Sequence, residues 1–224
     1  MIVTPHPDDA EYGVAGTVAR WTKEGRSVVY VVCTNGDKGT SDPLINPEDL
    51  VAIREAEQRA AAEVLGVREV LFLRHSDQQL EDTPEFRKQL VRLIRLYQPQ
   101  IVVTADPYRR YVWHRDHRVA GQVTLDAVFP YARDHLAYPD FLEQNLQPHK
   151  VKEMLFWAAE DLNYRSDITD TFDLKLTALR RHKSQMRAHG VRKVEGWVRK
   201  RCREMAAGED FELAEAFHQV LLPE

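Results

Sequence analysis

The chain has 224 residues, 31 Lys and Arg against 35 Asp and Glu, and a formal charge of −4; its length suits one domain of ~100–200 residues with a small appendage. At 43% hydrophobic and 29% charged residues it is no disordered chain, and its near-neutral balance gives no reason to expect nucleic acid or a membrane surface as partner. Two cysteines, Cys33 and Cys202, are too few for a disulfide scaffold, and Asp8, Asp9 and Glu11 interrupt the place of a signal peptide's apolar core, so a cytoplasmic location is expected.

Met1–Thr4 is short and apolar, about four residues of strand, as a trimmed start would leave it. Ala10–Glu24 has apolar residues at helical spacing (Val14, Val18, Trp21). Ser27–Thr34 is a Val-rich run too short for most helices and reads as a buried strand. Asn35–Asn46 is a Gly/Asp/Pro loop. Pro47–Leu65 predicts a helix stopped by Gly66. Glu69–Leu73 predicts a strand, Thr83–Tyr97 a helix with Thr83 as its cap, and Gln100–Thr104 a strand. Arg118–Tyr131 looks helical and Val151–Ala158 looks like a strand. Helices are expected over Phe172–His189 and Trp197–Ala207, and Phe211–Leu222 is the last element. The segment Asp134–Lys150 carries mixed signals and is left open.

Strand and helix alternate at the rhythm of βαβ units. The expected fold is α/β, a Rossmann-like three-layer sandwich with a mostly parallel sheet and a less regular C-terminal part. In such folds ligands bind beyond the carboxyl ends of the strands. The loops Pro5–Ala10, Asn35–Asn46, Arg74–Asp82 and Ala105–Asp116 should therefore share one edge.

Two motifs on that edge carry chemistry. The first is Pro5-His6-Pro7-Asp8-Asp9-Ala10-Glu11, where the first strand gives way to a helix. His6 and Asp9, three residues apart, could converge on one divalent ion. Asp8-x-x-Glu11 is also a capping signature, which accounts for a carboxylate but not for His6. The second is His114-Arg115-Asp116-His117, whose histidines share a face if a helix starts there. Two histidines and a carboxylate with an open fourth position are the layout of a hydrolytic zinc site. His6, Asp9, His114 and His117 exceed that need, leaving one histidine for proton transfer. Arg54 lies early in its helix, near the binding edge; a surface pair with Glu55 or Glu57 would also account for it. His182 reads as a helix-surface or packing residue. The residues alone leave three classes open: a metal-assisted amide hydrolase, another metallohydrolase such as a phosphoesterase, and a non-catalytic Rossmann-like ligand-binding module.

The opening Pro5-His6-Pro7-Asp8-Asp9 with Gly16-Thr17 resembles the Ala-His-Pro-Asp-Asp…Gly-Gly-Thr opening of the LmbE/PIG-L-like zinc-dependent N-acetylglucosamine deacetylases. Thr34-Asn35-Gly36…Gly39, Arg54-x-x-Glu57, His114-x-Asp116-His117 and His182-x-Ser184-Gln185 are similar to further motifs of that family, in order. Pro5, Ala15 and Arg115 depart from its pattern without removing a chemical group. The resemblance implies a single domain over 1–224, with a Rossmann-like core to about 130 and a C-terminal extension from about 131. It implies that His6, Asp9 and His117 bind the metal (Zn2+, with Fe2+ or another divalent ion also fitting) and that Asp8 is the general base. His114 would be the acid or oxyanion-stabilising group, Asp116 its orienting partner and Arg54 a substrate contact. The implied partner is a small-molecule N-acetyl sugar or glycoconjugate. The implied reaction is deacetylation by metal-activated water. Whether the chain forms a homo-oligomer stays open.

Overall fold

The computed structural model describes residues 1–111 and 114–223, with backbone alone at 188–189. The strands are β1 Ile2–Thr4, β2 Val29–Thr34, β3 Glu69–His75, β4 Ile101–Ala105, β5 Glu153–Trp157, β6 Tyr164–Asp167 and β7 Ala214–Leu221. The helices are α1 Asp9–Gly13, α2 Ala15–Lys23, α3 Pro47–Val64, α4 Pro84–Tyr97, α5 Arg115–Asp126, α6 Asp140–Glu143, α7 Phe172–Leu179, α8 Lys183–His189 and α9 Val191–Met205. They build one seven-stranded sheet in the order β3-β2-β1-β4-β5-β7-β6. The first five strands are parallel, and β7 is antiparallel to both neighbours. The expected α/β three-layer architecture is the observed one.

Alternation along the strands separates the two faces. Val3, Val31 and Val102 join Leu90, Ile94, Ala120 and Val123 of α4 and α5 on one side. Ile2, Tyr30, Val103 and Leu155 meet Val18, Trp21, Ala61 and Leu65 of α2 and α3 on the other. Both faces of each central strand are covered, which is why these strands read as continuous apolar runs. Helix ends follow their local chemistry: Asn46 caps α3 by accepting from Glu48 N at 3.0 Å, and Thr83 caps α4 by accepting from Phe86 N at 3.1 Å.

Two expectations change, and the last element, given no type from the sequence, gains one. The run Ala10–Glu24 is two helices, broken at Val14. The run Phe172–His189 is likewise two, parted before α8. The last element is a strand, β7, wedged between β5 and β6. Among the described residues, no helix is long and apolar enough to cross a membrane.

A buried ion pair locks the C-terminal part to the core. Lys175 of α7 donates to Glu215 of β7 at 2.6 Å and to the Tyr12 carbonyl at 2.7 Å. Glu215 also accepts from the backbone of Gly16 (2.9 Å) and Thr17 (2.8 Å) and from the Thr17 hydroxyl (2.6 Å). Lys175→Met leaves that carboxylate buried without its cation. Urea unfolding should show a loss of ~3–5 kcal/mol, the cost of breaking one side of a buried pair. Adding Glu215→Gln should recover part of it.

Candidate metal centre

The order 3-2-1-4 of the parallel strands places a topological switch point between β1 and β4. The loops that leave those strands carry the two histidine motifs, where an open α/β sheet binds its ligands. The Pro5–Asp8 turn is held from outside. Thr34 N donates to Pro5 O (2.8 Å), Arg54 Nη2 to Pro7 O (2.6 Å), and Asp8 N to Gln58 Oε1 (2.9 Å). These bonds fix Asp8 at φ 89°, a left-handed conformation that costs a non-glycine residue about 1–3 kcal/mol. Asp8 occupies the position before α1, yet its side chain makes no capping bond, so the capping reading fails. Its carboxylate instead lies 3.6 Å from Arg54 Nη2. Burial, opposed by Arg54 and aided by Asp9, pushes the Asp8 carboxyl up to about 6.

Asp9 is the meeting point of the motifs. Its Oδ2 lies 2.9 Å from His6 Nδ1 and 3.1 Å from His117 Nε2, and it accepts from His6 N at 3.0 Å. A tetrahedral ion with bonds of about 2.0–2.1 Å has ligand atoms roughly 3.3 Å apart. Both Asp9–histidine contacts approach that edge, and two imidazoles with one carboxylate are a zinc-type donor set, so these residues fit a divalent metal. Burial would raise the Asp9 carboxyl, but His117 and His6 override it and hold it well below the usual range.

The other nitrogen of His6 faces two more carboxylates, Asp77 Oδ1 at 3.1 Å and Asp116 Oδ2 at 3.2 Å. Burial disfavours a charge on His6, yet Asp116, Asp77 and Asp9 together raise it to about 11. So many carboxylates around one imidazole make a site that calls for positive charge. His6, His114 and His117 also offer nitrogens within 4.8 Å of one another, as do the donor atoms of His6, Asp77, His114 and Asp116.

Asp116 differs from its expected place. Its carboxylate accepts from Gln78 N (2.7 Å) and Leu80 N (3.3 Å) and contacts His6, not the His114 ring. The cause is helical geometry: side chains two apart on a helix do not face each other. His114 meets Asp116 only through the backbone, its Nδ1 accepting from Asp116 N at 3.1 Å as the N-cap of α5. An accepting Nδ1 assigns the proton of a neutral ring to Nε2. Burial, and then the charge of His6, lower the His114 pKa, which favours that neutral form. Its ring stands 4.7 Å from that of His6 and 5.6 Å from that of His117.

Arg54 is 4% exposed and makes no surface pair. It donates to Pro7 O and, at 3.1 Å, to Gly36 O, while its Nε–H has no acceptor among the described residues. Gly36, at φ +64°, is what lets the guanidinium in: a Cβ there would stand 2.3 Å from Arg54 Nη1. Gly36→Ala should therefore dislodge Arg54 and slacken the Asp8 turn, lowering both Tm and turnover.

Sequence reasoning missed a buried relay behind Asp8. Gln58, which holds Asp8 N, donates to Glu11 Oε1 at 3.0 Å, and Glu11 Oε2 meets His182 Nε2 at 3.1 Å. Burial works against a charge on His182, but Glu11 raises its pKa. Ser184 bonds Glu57 through its backbone N (2.8 Å) and hydroxyl (2.6 Å), and Gln185 bonds Gly39 O (2.9 Å). His182-x-Ser184-Gln185 thus clamps α3 and the loop after β2. Asp77 was also missed; its loop was placed on the correct edge, but one Asp among polar residues gave no further signal.

Comparison with known proteins finds relatives along most of the chain. A family model described as PIG-L, GlcNAc-PI de-N-acetylase, matches residues 1–128. A diacetylchitobiose deacetylase of Thermococcus kodakarensis is 36% identical over 185 residues, covering 83% of this chain and 69% of that protein. A probable N-acetyl-alpha-D-glucosaminyl L-malate deacetylase 2 of Bacillus anthracis is 29% identical over 196 residues, covering 83% and 80%. The structure of N,N'-diacetylchitobiose deacetylase from Pyrococcus horikoshii matches with a TM-score of 0.93 at 31% identity, covering 98% of this chain and 82% of that one.

Proposed function

The chain belongs to the PIG-L, GlcNAc-PI de-N-acetylase, family, and on that premise we propose that it is a metal-dependent N-deacetylase of N-acetylglucosamine-type sugars. The observation that carries the reading is the junction of Asp9 with His6 and His117, beside an Asp8 carboxylate that caps no helix. His6, Asp9 and His117 would hold the ion, with zinc as the proposed metal. A bound Zn2+ polarises a carbonyl and lowers the pKa of water from 15.7 to about 7.

The remaining work falls to the chain's own groups. Asp8 takes the proton of the attacking water as its oxygen bonds to the acetyl carbon. The Nε2–H of His114 donates to the oxyanion that develops on the carbonyl oxygen. When the C–N bond breaks, Asp8 returns its proton to the departing amine, giving acetate and a free amino sugar. Asp116 and Asp77 orient His6 from its far nitrogen, as supporting carboxylates do for metal-bound imidazoles. Arg54, with one N–H unspent, is the assigned substrate contact.

The test uses purified, metal-quantified protein with N-acetylglucosamine and N,N'-diacetylchitobiose. One metal per chain, with acetate and free amine released in equal amounts, is expected. Two metals with phosphate released from phosphoesters would overturn the reading in favour of a phosphoesterase. Saccharide binding without turnover would leave a binding module.

A further inference from the structure

One face of α3 grips both polar atoms of the Pro7–Asp8 peptide. Arg54 Nη2 donates to its oxygen, Pro7 O, at 2.6 Å, and Gln58 Oε1 accepts from its N–H, Asp8 N, at 2.9 Å. Arg54 and Gln58 stand one helical turn apart, so they rise from the same side of α3. The plane of this peptide sets the direction in which the Asp8 side chain leaves the backbone, with Asp8 at φ 89°. A guanidinium only donates. The peptide therefore cannot turn over without setting its N–H against Arg54, and as it stands it needs an acceptor from Gln58.

Gln58 does not fix its own orientation, because a carboxamide carries an acceptor on one side and a donor of similar shape on the other. Its neighbours decide. Gln58 Nε2 donates to Glu11 Oε1 at 3.0 Å, and Glu11 Oε2 faces His182 Nε2 at 3.1 Å. Glu11, Gln58 and His182 are all buried, so water does not compete for these groups. A carboxylate only accepts, which assigns a proton to His182 Nε2. The chain thus has a donor at each end, Asp8 N–H and His182 Nε2–H, and one double acceptor between them, Glu11. Only that arrangement turns the Gln58 oxygen toward Asp8.

We propose that Glu11 and His182 are positioning residues for the reaction. Acting through Gln58, they hold the Pro7–Asp8 peptide in the one orientation that aims the Asp8 carboxylate at the attacking water. This rests on the deacetylase reading above, in which Asp8 is the base.

The test reverses the direction of the chain and then restores it. Glu11→Gln puts an NH2 where one of two acceptors stood. His182 cannot yield by moving its proton to Nδ1, which has no partner among the described residues. The introduced oxygen stays with His182, the introduced NH2 meets Gln58, and Gln58 turns its own NH2 against Asp8 N–H. In the metal-loaded variant, kcat on N-acetylglucosamine and N,N'-diacetylchitobiose should fall about 10²-fold, the order a misplaced group costs. KM and metal content should stay near wild type. By NMR the Asp8 amide should exchange its hydrogen about tenfold faster, as loss of one ordinary bond allows. Adding Gln58→Glu moves the double acceptor one place along and satisfies both end donors again. The double variant should recover most of kcat and the slow exchange. An unchanged kcat and Asp8 amide in Glu11→Gln, a loss explained by missing metal, or a double variant no better than the single would overturn the proposal. Should Glu11→Gln not fold, the double variant decides: folded with near wild-type kcat upholds it, and anything less ends it. If wild type releases acetate from neither sugar, the deacetylase reading fails by itself. Asp8 amide exchange across the same variants then decides the positioning alone.

Discussion

Asp8→Asn should keep its metal and lose about 10²–10⁴ of kcat, the usual weight of a general base. The substitution is chosen for the backbone. Asp8 sits at φ 89°, and Asn tolerates left-handed geometry better than most residues. The bond from Asp8 N to Gln58 is made by the main chain and survives. What changes is the ability to accept a proton beside Arg54. The measurement is kcat at saturating metal together with metal content per chain. A near-full rate with metal in place would move the base to another residue, and lost metal would make Asp8 a ligand.

His117→Ala should empty the site at metal concentrations that saturate wild type, and activity should go with it. Asp9 would keep His6 as its one imidazole neighbour of the pair it now joins. The fall in affinity should exceed the roughly 10–100-fold loss typical of a supporting residue. Asp116→Asn supplies that smaller loss for comparison, because its carboxylate touches His6 rather than the ion's assigned position. Thermal unfolding gives a readout independent of turnover. A ligand at a hundred times its Kd stabilises the folded state by about 2.7 kcal/mol. Wild type should show an upward Tm shift on adding zinc, and His117→Ala should show almost none.

Much of this was legible in the sequence because it is local. Short apolar runs spaced by amphipathic stretches marked the first four strands, and the loops that follow them were placed on one edge as the rule for open sheets requires. Pro5–Glu11 and His114–His117 announced themselves by residue type and spacing alone. What stayed hidden depends on strand order and on which way a side chain turns. Asp77 reaches His6 only because β3, β2 and β1 are neighbours, and no periodicity encodes that. The resemblance pairs Asp116 with His114, two residues away, whereas its carboxylate finds His6, 110 residues distant. His182 reads as packing until Glu11, 171 residues distant, appears against it. Asp8-x-x-Glu11 looked like a cap because local chemistry allowed one, and tertiary hydrogen bonds from α3 claimed the turn instead.

The position of β7 bears on how the protein is made. The strand comes late in the chain, yet it lies between β5 and β6, and its Glu215 bonds the start of α2 and the lysine that grips Tyr12. The His6–Asp9 loop leaves the ribosome about two hundred residues ahead of Glu215. During synthesis the first half of the candidate metal centre therefore waits on its second half, and both wait on the bolt behind them.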